Sequence, residues 1–312
     1  MRTTAILVAA GICMLAVPMI APGGSDPENE KHDKDIQPTG RGIGTRQAPG
    51  QIKEAPGNKP GGGGGDNGIQ YHGGPVLVNG ATIYYIWYGD WDGNSATSIL
   101  TDLASSIGGS PYFNINTTYT NGSGQAVQNA VTYGASTFDH YSLGSTLTDA
   151  NVKTVIASAL NSGALPYNPN GIYFVLTSQD VAESSGFCRT YCGWHTHGTI
   201  SPNNVRYAFI GNAARCLSAC AEQTISPNDN AGADAMASII AHELEEAVTD
   251  PDLNAWYDRR GEENADKCAW TFGSTYTVGN GSLANMILGS RNFLIQQNWV
   301  NAAGGKCAVK FP

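Results

Sequence analysis

The sequence is poor in charged residues, and above all in basic ones. Only 14% of its 312 residues are charged, and 17 lysines and arginines face 26 acidic residues, which gives a formal net charge of −9. Proteins that bind nucleic acids or anionic membranes need clustered basic side chains to neutralise phosphate groups. The sequence shows no such cluster, so we expect no nucleic-acid partner.

Long apolar runs are absent after the first 22 residues. The single run, TTAILVAAGICMLAVPMIA, follows Met1 and Arg2 and gives way to the polar stretch PGGSDPENE. A basic start followed by an apolar stretch is typical of a secretory signal peptide, which we predict over residues 1–22. An uncleaved anchor is the alternative, because the run is almost long enough to span a bilayer. With the signal removed, we expect a secreted, extracellular protein without a membrane attachment.

Large apolar side chains are scarce in residues 23–67, which contain the stretch QAPGQIKEAPGNKPGGGGG. A segment this rich in glycine, proline and charge cannot bury enough apolar surface to offset the entropy lost on ordering. We therefore predict a disordered linker over residues 23–67. The remaining residues, 68–312, suit one large domain.

The cysteines predict disulfide bonds. One of the seven, Cys13, lies in the predicted signal peptide, which leaves an even number for the mature chain. An even count in an exported protein indicates three disulfides, although six cysteines allow fifteen pairings. Since cysteines close in sequence would pin tight loops, the pairs that we expect are Cys188 with Cys192, Cys216 with Cys220, and Cys268 with Cys307. A zinc-thiolate cluster is the alternative, and an oxidising compartment disfavours it.

Strands and helices alternate along the domain. Apolar, β-branched and aromatic runs predict strands over residues 81–89, 171–178 and 205–212. Apolar residues at helical spacing predict helices over residues 94–108, 148–163 and 233–250. This alternation favours an α/β or α+β fold with a mixed sheet packed against helices and with loops pinned by disulfides.

The last predicted helix ends in AHELEEAVTDP, residues 241–251, which differs by one residue from the zinc-peptidase pattern His-Glu-x-x-His. His242 and Glu246 are four residues apart and share one helix face, so they could hold one ion. Glu243 points about 100° away, where the glutamate of zinc peptidases acts as general base. The pattern therefore predicts a zincin-like active helix. The alternative is an acidic helix end or a hydrogen-bonded structural cluster.

A third ligand has to come from another part of the chain. The stretch GEENADKC, residues 261–268, offers Asp266 as our first choice and Glu263 as a further candidate. His195 and His197 in CGWHTHG are the other candidates, and on an extended chain they would share one side. The imidazole ligand favours zinc, which is our first choice of ion. The carboxylate ligands make calcium or manganese the alternatives.

Several stretches of the domain resemble one known family. They are YHGGPVLVNG, YIWYGDW, GFCRTYCGWH, FIGNAARCLSAC, AHELEEAVTDPDLNAWYD and DKC. The chain from about Tyr71 to Cys268 is thereby similar to the phosphate-induced, or EXORDIUM-like, secreted proteins of plants and bacteria. The resemblance implies an extracellular or cell-wall-associated protein, linked in plants to growth and nutrient responses. It implies no particular biochemical activity.

The resemblance also covers the candidate site. The family pattern contains the three acid and imidazole residues of the helix, the NAWY stretch and the Asp-x-Cys, which fall here on His242, Glu243, Glu246, residues 254–257 and Asp266. His195 also falls on a family position, whereas His197 is particular to this chain.

Two functions from different classes follow from these residues. The first is a metal-dependent hydrolase of the peptidase type, acting on an extracellular peptide or a cell-wall polymer. His242, Glu246 and Asp266 would bind the ion, and Glu243 would deprotonate the attacking water. The second is a non-catalytic extracellular or cell-wall binding or signalling module, in which the same helix holds a structural cation or a hydrogen-bonded cluster.

Overall fold

A computed structural model describes residues 37–38, 44–46, 68–302 and 304–312. The predicted signal peptide and most of the predicted linker lie outside the described residues, so their boundaries stay predictions. Within the described residues, no helix combines the length and the apolar character that crossing a membrane requires.

Regular structure begins at Gln70 and continues to Ala308. The helices are α1 (Ala96–Ser106), α2 (Asp149–Asn161), α3 (Leu217–Cys220) and α4 (Ala231–Thr249). The longer strands are β2 (Ala81–Tyr88), β3 (Val131–Asp139), β5 (Gly171–Thr177), β7 (Gly193–Ile200) and β8 (Asn203–Ile210). The short strands are β1 (Gln70–Tyr71), β4 (Thr146–Leu147), β6 (Ala182–Glu183), β9 (Trp256–Tyr257), β10 (Tyr276–Thr277), β11 (Leu283–Ala284), β12 (Met286–Leu288), β13 (Arg291–Phe293), β14 (Asn298–Val300) and β15 (Lys306–Ala308). The predicted α/β class with a mixed sheet is confirmed.

The five longer strands form one sheet in the order β3-β2-β5-β8-β7. Four of the strands run parallel, and β7 runs antiparallel to β8 at one end of the order. The inner strands β2 and β5 are buried along almost their whole length. Near-continuous burial is expected for parallel strands that are covered on both faces, and it explains their apolar sequences ATIYYIWY and GIYFVLT.

The helices cover the two faces of this sheet. The chain moves from β2 outward to β3 through α1, and then back across β2 to β5 through α2. Right-handed crossovers in opposite directions place α1 and α2 on opposite faces. The helix α4 packs against α1, β7 and β8, so it lies on the α1 face near the antiparallel end of the sheet.

The contact between α4 and β7 is very close at Gly193. A Cβ atom on Gly193 would lie 2.6 Å from Ile239 Cγ2 on α4 and 3.0 Å from the carbonyl oxygen of Phe209 on β8. Since alternate residues of a strand point to the same face, His195 projects towards α4 as Gly193 does. The glycine therefore lets the helix approach the strand that carries His195.

Two of the predicted disulfides are wrong, and the third is confirmed. Cys188 pairs with Cys216 and Cys192 pairs with Cys220, each across 28 residues, while Cys268 pairs with Cys307 as predicted. The cause is the antiparallel pairing of β7 and β8, in which Gly193 lies opposite Ile210. The segment before β7 and the segment after β8 are consequently neighbours, so cysteines of one bond to cysteines of the other.

Four residues of the predicted linker, Gln37, Gly44, Thr45 and Arg46, contact the domain. Gln37 Nε2 donates to the carbonyl of Leu253, and Gly44 forms a β-bridge with Tyr191. The Arg46 guanidinium lies 3.2 Å from Glu222 Oε2. Residues 44–46 therefore lie beside the segments that carry the two interlaced disulfides, whereas Gln37 contacts the loop after α4.

The disulfide arrangement predicts the products of a non-reducing tryptic digest. Cleavage after Lys153, Arg189, Arg206, Arg215 and Arg259 places the four cysteines on three peptides. Peptide 154–189 carries Cys188, peptide 190–206 carries Cys192, and peptide 216–259 carries both Cys216 and Cys220. We expect mass spectrometry to find these three joined in one species that reduction separates. A species that joins only peptides 154–189 and 190–206, with peptide 216–259 released alone, would show the local pairs Cys188–Cys192 and Cys216–Cys220 instead.

Candidate metal centre

The helix α4 brings His242, Glu243 and Glu246 into the protein interior. Its N-terminus is capped by the side chain of Asn230, which accepts a hydrogen bond from the backbone N–H of Ala233. The three residues near its C-terminus are at most 1% exposed. His242 Nε2 lies 3.0 Å from Glu246 Oε1, as expected for residues one turn apart on one face. The acidic helix end is therefore not a solvated surface.

Asp266 approaches this pair from the other side. It begins the short 3-10 segment Asp266–Cys268, which the Cys268–Cys307 disulfide ties to the C-terminal part of the chain. Asp266 Oδ1 lies 3.5 Å from His242 Nε2, and the Asp266 backbone N–H donates to Glu246 Oε1 at 3.1 Å. The Asp266 side chain is 28% exposed, so it is the member of the trio that reaches towards solvent. The three predicted ligands thus lie together.

His195 lies on the opposite side of the Glu246 carboxylate. Its Nδ1 is 3.3 Å from Glu243 Oε2 and 3.4 Å from Glu246 Oε2, and the imidazole is buried. Glu263 Oε1 lies 3.6 Å from the other ring nitrogen, Nε2. His195 and Glu263, which the sequence offered only as further candidates, therefore belong to the same cluster.

His197 lies outside this cluster. The side chain is 36% exposed, its Nδ1 is 3.0 Å from Asn204 Oδ1, and Asp252 Oδ1 is 3.9 Å away. It does share a strand face with His195, but two residues of extended chain separate them by about 6.6 Å. That distance carries His197 past the end of α4.

Burial and charge act against each other in the cluster. Burial raises the pKa of Glu243 and Asp266, and raises that of Glu263 well above its usual value. Burial also acts to raise the pKa of Glu246, but the charges of His242 and His195 outweigh it and lower this pKa to about 2. For both histidines burial acts to lower the pKa, yet the surrounding carboxylates raise it well above its usual value. The cluster therefore attracts positive charge.

Several buried polar atoms of the cluster have no hydrogen-bond partner in the part of the chain that the structure describes. These atoms are His242 Nδ1 and Nε2, His195 Nε2, Glu246 Oε2 and Glu263 Oε1. A buried polar atom without a partner costs about 1–3 kcal/mol. A ligand bound between these four side chains would supply partners for the atoms that face it.

The donor set fits a divalent ion. Imidazole nitrogen and carboxylate oxygen bind zinc at about 2.0–2.2 Å, and a tetrahedral arrangement then separates the donor atoms by about 3.4 Å. The separations of 3.0 and 3.5 Å from His242 Nε2 to Glu246 Oε1 and Asp266 Oδ1 are close to this value. Among the described residues, no lysine or arginine forms an ion pair with Glu246, Glu263 or Asp266.

Two further acids near the cluster have structural roles that the sequence did not predict. Asp250 follows α4, and its Oδ1 accepts hydrogen bonds of 2.6 Å from the backbone N–H groups of Asn254 and Ala255. Glu245 points away from the cluster and accepts a hydrogen bond from Asn298 Nδ2. An acid just before the helix-ending proline was the one signal available for Asp250. Only the structure shows that the role of Glu245 differs from those of Glu243 and Glu246.

The fold and the site define a class of protein: a disulfide-bonded α/β domain with a buried centre of histidines and carboxylates at the end of its longest helix. The family model described as the phosphate-induced protein 1 conserved region matches residues 69–293. The chain belongs to this phosphate-induced, EXORDIUM-like family, which confirms the resemblance.

Individual relatives agree with this assignment. Protein EXORDIUM-like 3 from Arabidopsis thaliana is 34% identical over 274 residues, covering 74% of this chain and 80% of the relative. Protein EXORDIUM-like 5 from the same plant is 32% identical over 278 residues, covering 74% and 75%. Protein PHOSPHATE-INDUCED 1 from Nicotiana tabacum is 26% identical over 228 residues, covering 63% and 69%. No solved structure matches the chain.

The geometry predicts that a divalent ion stabilises the folded protein. Thermal unfolding of chelator-treated protein should shift upwards when zinc is added in excess, because only the folded state presents the convergent ligands. The Asp266→Asn variant should lose most of this shift. Its matched control is Asp92→Asn at an exposed site away from the cluster, which should keep the full shift. Equal shifts in both variants would contradict ion binding at Asp266.

Proposed function

We propose that the chain is a secreted, metal-dependent hydrolase of the peptidase type, with a zincin-like helix. The observation that supports the proposal most strongly is the convergence of His242 Nε2, Glu246 Oε1 and Asp266 Oδ1 within 4.8 Å of one another. Two of these side chains are fully buried and the third is partly exposed. The trio thus offers three protein ligands and one open direction, which is the usual layout of a catalytic zinc site.

The residues around this position have separable roles. His242, Glu246 and Asp266 would hold a divalent ion, which would serve as the Lewis acid of the site. Glu243 accepts the proton of the attacking water and passes it to the leaving group. The imidazole of His195, whose Nδ1 lies 3.3 Å from Glu243 Oε2, lies beside this carboxylate. Burial excludes competing water and strengthens each of these charge interactions.

Zinc is our first choice of ion. The imidazole of His242 favours zinc, whereas the two carboxylates make the site more tolerant of calcium or manganese than one built from several histidines. Carboxylate ligands also cancel the charge of a divalent ion, so the water is acidified less. We therefore expect the pH optimum of turnover to be higher than that of a site with more imidazole ligands.

An extended peptide is the substrate that the fold accommodates most directly. His195 lies on β7, which ends the sheet order and pairs with β8 alone among the strands that the structure describes. A terminal strand can add an extended peptide through its backbone N–H and C=O groups. A peptide held along β7 would pass close to the cluster. A cell-wall polymer could not use these backbone groups in the same way.

The alternative function is a non-catalytic extracellular binding or signalling module with a structural ion. The observation that favours it is the burial of the cluster, since His195, Glu243 and Glu246 show no exposed surface. A closed set of ligands is typical of structural sites. Under this alternative the ion stabilises the fold and no turnover exists.

The Glu243→Gln variant separates the two functions. The amide keeps the size of the side chain but cannot accept the proton, so turnover of casein or cell-wall peptides should fall by about 10²–10⁴-fold. Elemental analysis should still find an ion at the His242 position. Turnover is measured on holoprotein purified without chelator.

Glu245→Gln is the matched control, because Glu245 lies on the same helix, is equally buried and faces away from the cluster. Burial raises the pKa of Glu245 well above its usual value, and the neutral amide keeps an oxygen that can accept the hydrogen bond from Asn298. This variant should keep wild-type turnover. A Glu243→Gln protein as active as the Glu245→Gln protein would eliminate the proposed general base.

A further inference from the structure

We propose that the cluster holds a second divalent cation, bound by His195 Nδ1, Glu243 Oε2 and Glu246 Oε2. Glu246 would then bridge two ions, one on each carboxylate oxygen. The inference deepens the proposed function, because it shares Glu246 with the first ion position. Ion stoichiometry and turnover are measured separately, so either idea can fail alone.

The second set of donor atoms has the same spacing as the first. His195 Nδ1 lies 3.3 Å from Glu243 Oε2 and 3.4 Å from Glu246 Oε2, and all three atoms lie within 4.8 Å of one another. Ligands bound to one ion at about 2.0–2.2 Å in tetrahedral geometry lie about 3.4 Å apart. The three atoms therefore surround a position of ionic size.

The two oxygens of Glu246 face different imidazoles. Oε1 lies 3.0 Å from His242 Nε2, and Oε2 lies 3.4 Å from His195 Nδ1. Oε2 is buried and has no hydrogen-bond partner among the described residues. Two-ion sites place their ions about 3.5–4 Å apart, a distance that one carboxylate can bridge. An orphaned oxygen directed at a second imidazole is what a bridging ligand requires.

The charge of the cluster also matches two ions better than one. Four carboxylates, on Glu243, Glu246, Glu263 and Asp266, share the space with two imidazoles. Imidazoles that bind ions are neutral, so one divalent cation leaves two buried negative charges without compensation. Buried charges of this kind are costly. A second divalent cation brings the sum to zero, and the alternative is protonation of two carboxylates.

Glu263 prepares His195 for this role. Its Oε1 lies 3.6 Å from His195 Nε2, on the side of the ring opposite to Glu243 and Glu246. A proton on Nε2 would face this oxygen, and the Nδ1 lone pair would then face the ion position. Carboxylates beside ligating histidines commonly fix the tautomer in this way. Glu243 then binds through Oε2, the oxygen that faces His195 Nδ1.

The test counts ions per chain. Protein stripped with chelator is reloaded with zinc or manganese alone, passed through a desalting column, and measured by elemental analysis. We expect two ions per chain in the wild type and in Glu245→Gln. His195→Gln should retain only the ion held by His242 and Asp266. Asp266→Asn should retain only the ion held by His195 and Glu243. Glu246→Gln, which removes the bridge, should retain less than one.

Manganese adds a readout of distance. Two manganese ions bridged by one carboxylate are exchange-coupled, so the electron paramagnetic resonance spectrum of loaded wild type should differ from that of an isolated ion. His195→Gln should give the isolated-ion spectrum. If this variant fails to fold by circular dichroism, Glu243→Gln tests the same position and should also bind one ion with an uncoupled spectrum.

The outcomes separate the two proposals. One ion per chain in wild type, unchanged in both His195→Gln and Glu243→Gln, overturns the second cation and leaves the hydrolase proposal intact. Two coupled ions without turnover on any peptide overturns the hydrolase proposal and leaves the ion pair. Two ions that both survive in His195→Gln and in Glu243→Gln would place the second ion elsewhere and also overturn the inference.

Discussion

The structure depends on one buried carboxylate, Glu246, held between two imidazoles. His242 approaches one of its oxygens from the same helix, and His195 approaches the other from the sheet. Burial acts to raise the pKa of this carboxyl group, and the charges of the two imidazoles lower it. A stable negative charge in the interior needs positive charge beside it. The other acids of the cluster, Glu243, Glu263 and Asp266, add negative charge and so increase this requirement.

The fold is arranged to keep this contact in place. The central sheet ends in an antiparallel strand, so β7 can lie against the last turns of α4 with Gly193 removing the obstacle of a side chain. The disulfides Cys188–Cys216 and Cys192–Cys220 close the end of the β7–β8 pair next to this contact. The Cys268–Cys307 disulfide fixes the segment that delivers Asp266. Disulfides therefore lie next to both segments that approach α4: the strand β7 and the segment that carries Asp266.

The elements predicted from the sequence are those with a clear helical or strand periodicity. The spacing of His242 and Glu246 placed both on one helix face, and Asp266, our first choice for a third ligand, lies 3.5 Å from His242. The inner strands and the three main helices were predicted because their apolar patterns are strong. Disulfide pairing was predicted correctly only for Cys268 and Cys307, where strand pairing in the sheet does not decide the partner.

The edge strands β3 and β7 were not predicted, and each contains a glycine that packs closely against another element. Gly134 interrupts VTYGASTFD, yet a Cβ there would lie 2.6 Å from the ring of Tyr84, so the glycine exists to admit that ring. Gly193 admits Ile239 of α4 in the same way. In a sequence, a glycine that allows close approach cannot be distinguished from one that ends a strand. Because β7 was missed, the place of His195 opposite Glu246 could not be predicted.

The most direct test of the account is an X-ray diffraction experiment at the zinc absorption edge on crystals of the zinc-loaded protein. The account predicts an anomalous peak within about 2.2 Å of His242 Nε2, Glu246 Oε1 and Asp266 Oδ1. The contradicting result is a cluster that shows no anomalous peak and whose carboxylates and imidazoles are joined to one another by hydrogen bonds.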